Sequence, residues 1–277
     1  MSEMELTGKL AVVTGATGGI GTAICQRLHQ DGFGILAQFH TNHAKAETIG
    51  QTIREDGGYF KTVSCDLGTP EGVCEVLSTA REVAEQSPGR KIHALVNNAA
   101  KLLGPAFDEA TIDQFDEYFA LNVRAPFFLS QGLSRLMSTG GSIVNISSAG
   151  AHFSSPGDIV YAMSKAALES LTRNMAEAIA ARGLRVNSVV PGFTDNGHEA
   201  FRNVAALEYM SSFSVLGGVS DPSTVAEVVS FLVSDRASRT TGTAVDVSGG
   251  STLGARKRTA SSIRHVLPTP PEYGQPL

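Results

Sequence analysis

Seven short apolar runs alternate with six helix-length segments over about the first 250 residues, and this order limits the fold more than any other feature. Strands that alternate with helices join through right-handed crossovers into a parallel sheet with helices on both faces. Residues 142–147 and 185–190 are apolar without strict alternation, as strands buried on both faces are. We therefore predict an α/β fold with a seven-stranded, mostly parallel sheet. The other runs are residues 10–14, 35–39, 60–65, 92–97 and 243–247.

A glycine-rich turn follows the first run, where residues 14–21 read TGATGGIG. Glycines there permit a tight turn and let the backbone approach a pyrophosphate, whose charge is favoured by the amides at the next helix N-terminus. A glycine turn that binds nothing is the alternative, but the preceding strand and following helix favour a dinucleotide site in a single-domain Rossmann fold. The candidate cofactor residues of the turn are Gly15, Thr17, Gly19, Ile20 and Gly21.

Length and composition indicate one enzyme domain followed by a C-terminal segment of different composition. The chain has 277 residues, of which 42% are hydrophobic, and its elements alternate without a linker until about residue 250. Beyond that point it holds four basic residues at 256–264 and four prolines at 268–276. Such a stretch does not form a core of its own and is either disordered or docked on a neighbouring subunit. We predict a catalytic domain over residues 1–252 and a basic, proline-rich C-terminal extension over residues 253–277.

Charge and composition argue against several classes of partner. A formal net charge of −5 gives no broad basic surface, so nucleic acid and anionic membranes are not expected. The first nine residues lack the layout of a secretory signal, and no apolar run approaches the roughly 20 residues of a spanning helix. We expect a cytoplasmic protein. Cys25, Cys65 and Cys74 fall inside predicted elements without metal spacing, which indicates buried, reduced thiols and no metal site.

A tyrosine and a lysine four residues apart, Tyr161 and Lys165, are the candidates for proton transfer. On a helix that starts near Tyr161 both side chains lie on one face. A tyrosine pKa near 10 is too high for efficient exchange at neutral pH, and a nearby ammonium lowers it. The spacing alone often occurs by chance. Ser147 and Ser148 stand at the carboxyl end of the fifth run, and chemistry alone does not decide which of them would hold a substrate oxygen.

Taken together, these motifs resemble the single-domain branch of the short-chain dehydrogenase/reductase family over roughly residues 6–252. The resemblance lies in the G-x-x-x-G-x-G turn, in residues 97–100 (NNAA) and in the tyrosine–lysine pair, although Ala100 stands where the family usually has glycine. The family spacing selects Ser148, thirteen residues before Tyr161, as the serine that holds the substrate oxygen. It also adds Asn122, which would keep a water that links Lys165 to solvent.

The resemblance implies a hydride transfer between a nicotinamide cofactor and a carbonyl or alcohol. In reduction, C4 of the nicotinamide delivers hydride to the carbonyl carbon while Tyr161 protonates the oxygen and Ser148 hydrogen-bonds it. Lys165 and Tyr161 also border the cofactor, Lys165 through the ribose hydroxyls. Oxidation runs the same steps backwards, so the direction is left open. The remaining implied cofactor contacts are Asp66 and Leu67 at the adenine, Asn98 and Ala99 at the adenosine site, and Pro191, Gly192 and Thr194 at the nicotinamide.

The end of the second run bears on the choice of cofactor. An acid there would accept hydrogen bonds from the ribose 2′-hydroxyl and repel a 2′-phosphate, but residues 40–43 read HTNH. Donors on His40, Thr41 and Asn42 could receive a phosphate, so we predict NADP(H) in preference to NAD(H). Two features weigh against this prediction: Gly18 stands where many NADP-dependent members carry a basic residue, and the histidines could simply be solvated.

The substrate is the least constrained part of the interpretation. We expect a ketoreductase of the 3-oxoacyl or specialised-metabolite type, acting on a small, possibly carrier-bound, carbonyl or alcohol compound. The alternatives are an NAD-dependent dehydrogenase of a sugar, steroid or other secondary alcohol, and a cofactor-sensing regulator without turnover. Residues 195–213 are expected to form a mobile lid, although a helix packed on the sheet is equally consistent. Candidate substrate contacts are Ala100, Leu102, His152, Phe153 and Phe201.

Family members of this branch are commonly homotetramers. Long helices predicted at about residues 111–138 and 161–182 would build the interfaces, and we expect a homotetramer or a homodimer.

Overall fold

Seven strands form the central sheet of this protein. The computed structural model describes residues 8–87, 89–102, 104–197 and 199–253, and the side chains of residues 199 and 200 lie outside this description. The strands are β1 (Lys9–Val13), β2 (Gly34–Phe39), β3 (Phe60–Ser64), β4 (Lys91–Asn97), β5 (Met137–Ile146), β6 (Arg185–Pro191) and β7 (Ala244–Val247). They lie in the order β3-β2-β1-β4-β5-β6-β7, and every neighbouring pair is parallel. The predicted parallel sheet is therefore confirmed.

Helices connect the successive strands, as the alternation predicts. They are α1 (Gly19–Gln30), α2 (His43–Glu55), α3 (Pro70–Gln86), α4 (Ile112–Phe119), α5 (Ala125–Leu133), α6 (Ile159–Ile179), α7 (Val204–Ser211) and α8 (Pro222–Val233). Several begin at side chains suited to that position: Asn42, Thr69 and Asp221 each accept a hydrogen bond from a backbone N–H of the first turn. Among the helices of the described residues, none has both the length and the apolar composition of a membrane span.

The core lies on both faces of the sheet. Consecutive residues of one strand enter different apolar clusters, because strand side chains alternate between faces. Val13 and Val144 pack with residues of α1 and α8, whereas Val12 and Ile143 pack with residues of α3 and α5. Burial on both faces explains why these strands read as near-continuous apolar runs.

The helix predicted over residues 111–138 is interrupted and ends earlier. A π-helical turn, Ala120–Arg124, separates α4 from α5, and α5 ends at Leu133. Pro126 lacks the N–H that would bond back to the carbonyl of Asn122 in an α-helix, which favours this irregular turn. Met137, predicted as helical, pairs instead with Ile92, so β5 begins five residues before the predicted 142. The predicted helix 161–182 is α6 with a 3₁₀ turn, Ala180–Arg182, after it.

The cysteine prediction is correct for two of three residues. Cys25 and Cys65 are buried free thiols, and burial raises their pKa values to about 12 and about 11. Cys74 is exposed on α3, because it lies on the face of that helix turned away from the sheet. Its prediction as buried is wrong.

Candidate active site

The strand order reverses at β1, which has β2 on one side and β4 on the other. Ligands of open parallel sheets bind beyond the carboxyl ends of the strands at such a switch point. The glycine turn follows β1, residues 98–102 follow β4, Ser148 follows β5, and Thr194 follows β6. The structure therefore brings the nucleotide candidates and the proton-transfer candidates to one edge of the sheet.

Three positions of the glycine turn exclude any side chain. A Cβ on Gly15 would lie 2.8 Å from the Cα of Ala99, one on Gly19 would lie 2.6 Å from the Cα of Asn196, and one on Gly21 would lie 2.1 Å from the Gly15 carbonyl oxygen. The turn leads directly into the N-terminus of α1, whose first turn carries no acidic residue. The exposed amides and the positive end of this helix fit a pyrophosphate.

Hydrogen bonds from β4 hold the glycine turn in place. The Thr14 hydroxyl accepts from the backbone N–H groups of Asn98 and Ala99 at 2.9 and 3.0 Å. In return, the Asn98 amide donates to the carbonyls of Thr14 and Gly15 at 2.9 and 3.1 Å. The predicted adenosine-site residues Asn98 and Ala99 thus fix the shape of the turn.

Gln38 is a further brace of this turn, and the sequence interpretation missed it. Its Oε1 accepts from the Gly15 N–H at 2.9 Å, and its Nε2 donates to the Cys65 carbonyl at 2.9 Å. The available signal was a single polar side chain inside the apolar run of β2. The other two turn candidates, Thr17 and Ile20, are half-buried, and Ile20 packs on the core.

The residues predicted to meet the ribose 2′ position lie exposed between β2 and α2. Asn42 is the N-cap of α2, where its Oδ1 accepts from the Lys45 N–H at 3.1 Å, so its amide nitrogen is the part left to meet a ligand. His40 and Thr41 precede it on the surface, and the ring of His43 packs edge-on against the last residue of β2. Residues 40–43 include no acid, and the N-terminus of a 13-residue helix starts there.

The loop after β3 is linked to the helical segment before β5. Asp66 is exposed, and its Oδ1 accepts from the Gly68 N–H at 2.8 Å, whereas Leu67 is buried. The Arg124 guanidinium donates to the Gly68 carbonyl. Since Arg124 belongs to the same π-helical turn as Asn122, the predicted adenine-side loop is joined to that turn.

The segment after β6 packs closely on the chain after β7. Pro191 is the last residue of β6, and a Cβ on Gly192 would lie 2.8 Å from the Ser248 carbonyl oxygen. Thr194 is buried, its hydroxyl donates to the Gly192 carbonyl at 3.2 Å, and its backbone forms a bridge with Ser220. These contacts hold the predicted nicotinamide border in one conformation.

The two serines after β5 have different partners. The Ser147 hydroxyl donates to Oε1 of the buried Glu169 at 2.6 Å. Ser148 is in extended conformation, its hydroxyl accepts from the Gly150 N–H at 3.1 Å, and it lies close enough to the Tyr161 hydroxyl to lower the pKa of that tyrosine. Ser148 is therefore the serine brought together with the tyrosine.

Lys165 lies one helical turn beyond Tyr161 on α6. Its Nζ donates to the Ile146 carbonyl at 2.7 Å and lies 5.8 Å from the centroid of the Tyr161 ring. Burial lowers the pKa of Lys165 to about 8. Burial also raises the pKa of Tyr161 to about 12, and the hydrogen bond from Ser148 opposes that rise. The direction is opposite to the lowering expected for the tyrosine, because desolvation outweighs the stabilisation of the phenolate.

Asn122 lies buried in the π-helical turn, with its side chain fully engaged. Its amide donates to the Lys101 carbonyl at 3.1 Å and to the Ser164 hydroxyl at 2.9 Å, and its Oδ1 accepts from the Lys101 N–H at 2.8 Å. The side chain thus joins the loop after β4 to α6, where its partner Ser164 directly precedes Lys165 in sequence. Both amide hydrogens are engaged, so the predicted water would meet an acceptor of Asn122, either Oδ1 or the backbone carbonyl.

The predicted substrate contacts after β4 lie on a loop that reaches the start of α6. Ala100 is half-buried, and Leu102 is 49% exposed, with its carbonyl accepting from the Tyr118 hydroxyl at 3.0 Å. A Cβ on Gly104 would lie 3.2 Å from the Tyr161 backbone nitrogen, so this loop lies against the start of α6.

The other substrate candidates lie on the serine segment and before α7. His152 directs its Nε2 to Glu169 at 2.9 Å, and the Phe153 ring lies 5.5 Å from that of the buried Phe213. Phe201 is half-buried in the 3₁₀ helix Glu199–Arg202. Within the proposed lid, Met210 is buried, and His198 lies outside the described residues, as do residues 254–277 of the extension.

Comparisons with known proteins agree with this geometry. A family model described as enoyl-(acyl carrier protein) reductase matches residues 15–252. A crystal structure is known of the angucycline C-6 ketoreductase LanV with bound NADP, whose sequence is 38% identical to this chain. The two structures match with a TM-score of 0.86 over 90% of this chain and 97% of that chain. LugOII is a reductase described as catalysing keto-reduction at C1 during lugdunomycin biosynthesis. It is also 38% identical, and its structure matches with a TM-score of 0.86 over 90% of this chain and 99% of that chain.

A relative known by sequence points the same way. The 3-oxoacyl-[acyl-carrier-protein] reductase FabG of Rickettsia felis is 31% identical over 249 residues, which are 89% of this chain and 98% of that protein. The fold and the site define an oxidoreductase built on a dinucleotide-binding sheet. This chain belongs to the short-chain dehydrogenase/reductase family, as its motifs predict.

Proposed function

We propose that this chain is an NADP(H)-dependent ketoreductase in which Tyr161 transfers the proton and Ser148 holds the carbonyl oxygen. The observation that carries the proposal is the placement of the Ser148 hydroxyl close enough to that of Tyr161 to lower its pKa, with Lys165 beside the tyrosine ring, at the carboxyl edge of the sheet. Two hydroxyls that converge on one point can both donate to a single carbonyl oxygen placed there.

At neutral pH the site holds the proton that reduction consumes, although the raised pKa of Tyr161 makes it a weaker acid than a free tyrosine. NADPH supplies a hydride at C4 of its nicotinamide when it is bound. With a pKa of about 12, Tyr161 holds its proton at neutral pH and can give it to the oxygen as negative charge develops. Ser148 donates a hydrogen bond to the same oxygen. Lys165 is still mostly an ammonium at neutral pH with a pKa of about 8, and it would balance the phenolate that Tyr161 becomes.

The cofactor is NADP(H) in preference to NAD(H). This prediction from the absence of an acid at residues 40–43 is supported by the NADP bound in LanV. We place the 2′-phosphate against His40, Thr41 and the amide nitrogen of Asn42, at the N-terminus of α2. The positive end of the helix would supplement the side-chain donors in place of a basic residue at Gly18.

The substrate is a small-molecule ketone. LanV and LugOII are ketoreductases by description, and both cover nearly all of this chain's catalytic part, so a polycyclic aromatic ketone is the first candidate. A 3-oxoacyl thioester on a carrier protein is the second, favoured by the FabG relative.

The proposal also covers the arrangement of the chain. Residues 1–252 would form the catalytic domain of a cytoplasmic enzyme and residues 253–277 an extension outside it. A homotetramer or homodimer would bury exposed apolar side chains of α4, α5 and α6. The exposed large apolar side chains on these helices are Ile112, Phe115, Phe127, Phe128 and Met163.

A carbonyl screen with two tyrosine variants tests the proposed function. The panel contains 1-tetralone, trans-1-decalone, an acetoacetyl thioester and L-xylulose, each assayed with NADPH and with NADH. We expect ketone reduction with NADPH, and a fall in kcat of about 10²- to 10⁴-fold in Tyr161→Phe with NADPH affinity retained. Tyr59→Phe is the matched control, since Tyr59 packs against Arg90 at the amino-terminal ends of the strands, away from the site. Turnover retained by Tyr161→Phe would refute the proposal.

A further inference from the structure

We propose that Glu169 is a positioning residue that holds the Ser148 segment on the helix that carries Tyr161. A single carboxylate oxygen, Oε1, accepts from the Ser147 hydroxyl at 2.6 Å and lies 2.9 Å from Nε2 of His152. Ser147 precedes Ser148 directly, and His152 follows it by four residues. Glu169 therefore fastens both ends of the segment that presents Ser148, and this inference rests on the proposed role of that serine.

The burial of Glu169 requires these two partners. Its side chain is 8% exposed, and an isolated carboxylate at such a site would be strongly unfavourable. The hydroxyl of the buried Ser147 and the ring of His152, which is about one-third exposed, supply hydrogen bonds and a chargeable partner. Because the carboxylate and its partners depend on one another, the segment cannot shift without leaving a buried polar group unsatisfied.

The position of Glu169 along α6 connects this contact to the chemistry. Tyr161, Lys165 and Glu169 follow each other at intervals of four residues, so their side chains lie on one face of the helix. Ser148 lies beside Tyr161 and lowers its pKa, whereas Glu169 contacts Ser147 and His152, which bound the Ser148 segment. One rigid helix thus sets both the tyrosine and the serine hydroxyl.

The segment held in this way is short and irregular. Ser148 is the N-cap of a 3₁₀ turn, Ala149–Ala151, and that turn ends where the His152 N–H donates to the Ala149 carbonyl at 2.9 Å. Fixing both ends of a loop removes most of its freedom. Displacement of a reacting group by about 1 Å can lower a rate by about 100-fold, so a loosened Ser148 should slow the chemical step.

Kinetics of Glu169 variants test the inference. We would compare Glu169→Ala, Glu169→Gln and the control Glu177→Ala, an exposed residue two turns further along α6, using NADPH and trans-1-decalone. The measurements are kcat, the NADPH dissociation constant, the melting temperature, and the isotope effect with NADPH deuterated at the transferred position. We expect Glu169→Ala to lower kcat by about 10- to 100-fold with NADPH affinity nearly unchanged and a larger isotope effect.

The glutamine variant and the two partners complete the test. An amide oxygen can still accept from Ser147 and His152, so Glu169→Gln should keep kcat within a few-fold of the wild type. Ser147→Ala and His152→Ala remove one contact each and should give smaller losses, even if Glu169→Ala does not fold. In the Ser147→Ala/His152→Ala background, Glu169→Ala should add little.

Three results would overturn the inference: a wild-type kcat in folded Glu169→Ala, a glutamine variant as slow as the alanine variant, or partner variants with unchanged kcat. Failure of the proposed function would be seen separately, as turnover that survives Tyr161→Phe.

Discussion

Ser147 and its neighbour Ser148 direct their hydroxyls to different partners across the carboxyl end of β5. Ser147 donates to Glu169 at 2.6 Å, whereas Ser148 accepts from the Gly150 N–H at 3.1 Å and lies beside Tyr161, whose pKa it lowers. Because successive side chains of an extended segment point to opposite sides, only one of the two can face the tyrosine. Ser148, the serine that the family spacing indicates, is the one placed beside the tyrosine.

The two serines should therefore respond differently to substitution. Ser148→Ala removes a hydrogen-bond donor aimed at the oxygen that gains charge, and we expect kcat to fall by about 10²- to 10³-fold. Ser147→Ala acts only through the position of the loop and should lower kcat by a measurable factor of up to about tenfold. Steady-state reduction of trans-1-decalone by both variants measures the difference. Equal losses, or a larger loss for Ser147→Ala, would contradict the assignment.

Much of this fold was predictable from the sequence, because burial on both faces gives strands a recognisable composition. The predicted runs match the observed strands to within one residue, except at the start of β5. There, Met137 pairs with Ile92 across a register shift, and Gly140 adopts a φ of +85°. An irregular pairing of this kind leaves no periodic pattern in the sequence.

The supporting side chains of the site were not predictable. Gln38 meets Gly15 across 23 residues, and Glu169 meets Ser147 across 22, so both contacts exist only once the sheet has assembled. Tyr161 was identifiable because its partner lies one helical turn away. The tyrosine–lysine spacing indicates a pair within one helix, and the family spacing adds Ser148, but no motif includes the braces that join separate elements.

The acid-free end of β2 gives a prediction about the cofactor. Thr41→Asp places a carboxylate where we propose the 2′-phosphate of NADPH, so repulsion should lower kcat/KM for NADPH by about tenfold or more. The same carboxylate can accept from a ribose 2′-hydroxyl, so kcat/KM for NADH should rise. Thr48→Asp, on an exposed part of α2, adds the same charge as a control. An unchanged NADPH/NADH ratio in Thr41→Asp would place the phosphate elsewhere.

Two neighbouring glycines of the turn should differ sharply in how well they tolerate an added side chain. A Cβ at Gly18 would meet nothing nearer than the Gly15 carbonyl oxygen at 3.4 Å, whereas one at Gly19 would lie 2.6 Å from the Cα of Asn196. Gly19→Ala must therefore push the segment after β6 away from the turn. We expect NADPH to bind at least about tenfold more weakly to Gly19→Ala and almost normally to Gly18→Ala. Fluorescence titration measures both, and equal affinities would show that the two segments separate freely.

Lys165 should lower stability while it supports activity. Its pKa of about 8 lies below the value of 10.5 for a free lysine, because burial disfavours the ammonium. Between these two values the unfolded chain binds more protons than the folded one, so the free energy of unfolding rises with pH across that window. Below pH 8 the folded protein carries the full penalty. Tyr161 has the opposite effect: since its pKa is raised to about 12, the free energy of unfolding falls as pH rises above 10.

Lys165→Met should consequently abolish reduction yet raise the melting temperature at pH 7. The lowered pKa of Lys165 corresponds to a destabilisation of about 3 kcal/mol, which the variant removes. Loss of the hydrogen bond to Ile146 costs about 1 kcal/mol, so the free energy of unfolding should rise by about 2 kcal/mol. Thermal unfolding of the wild type and the variant from pH 7 to pH 10 measures this gain, which should shrink as pH rises. Lys91→Met, at an exposed position, controls for the loss of one surface charge. If Lys165→Met melts at or below the wild-type temperature at pH 7, the buried ammonium is stabilised by contacts that outweigh its desolvation.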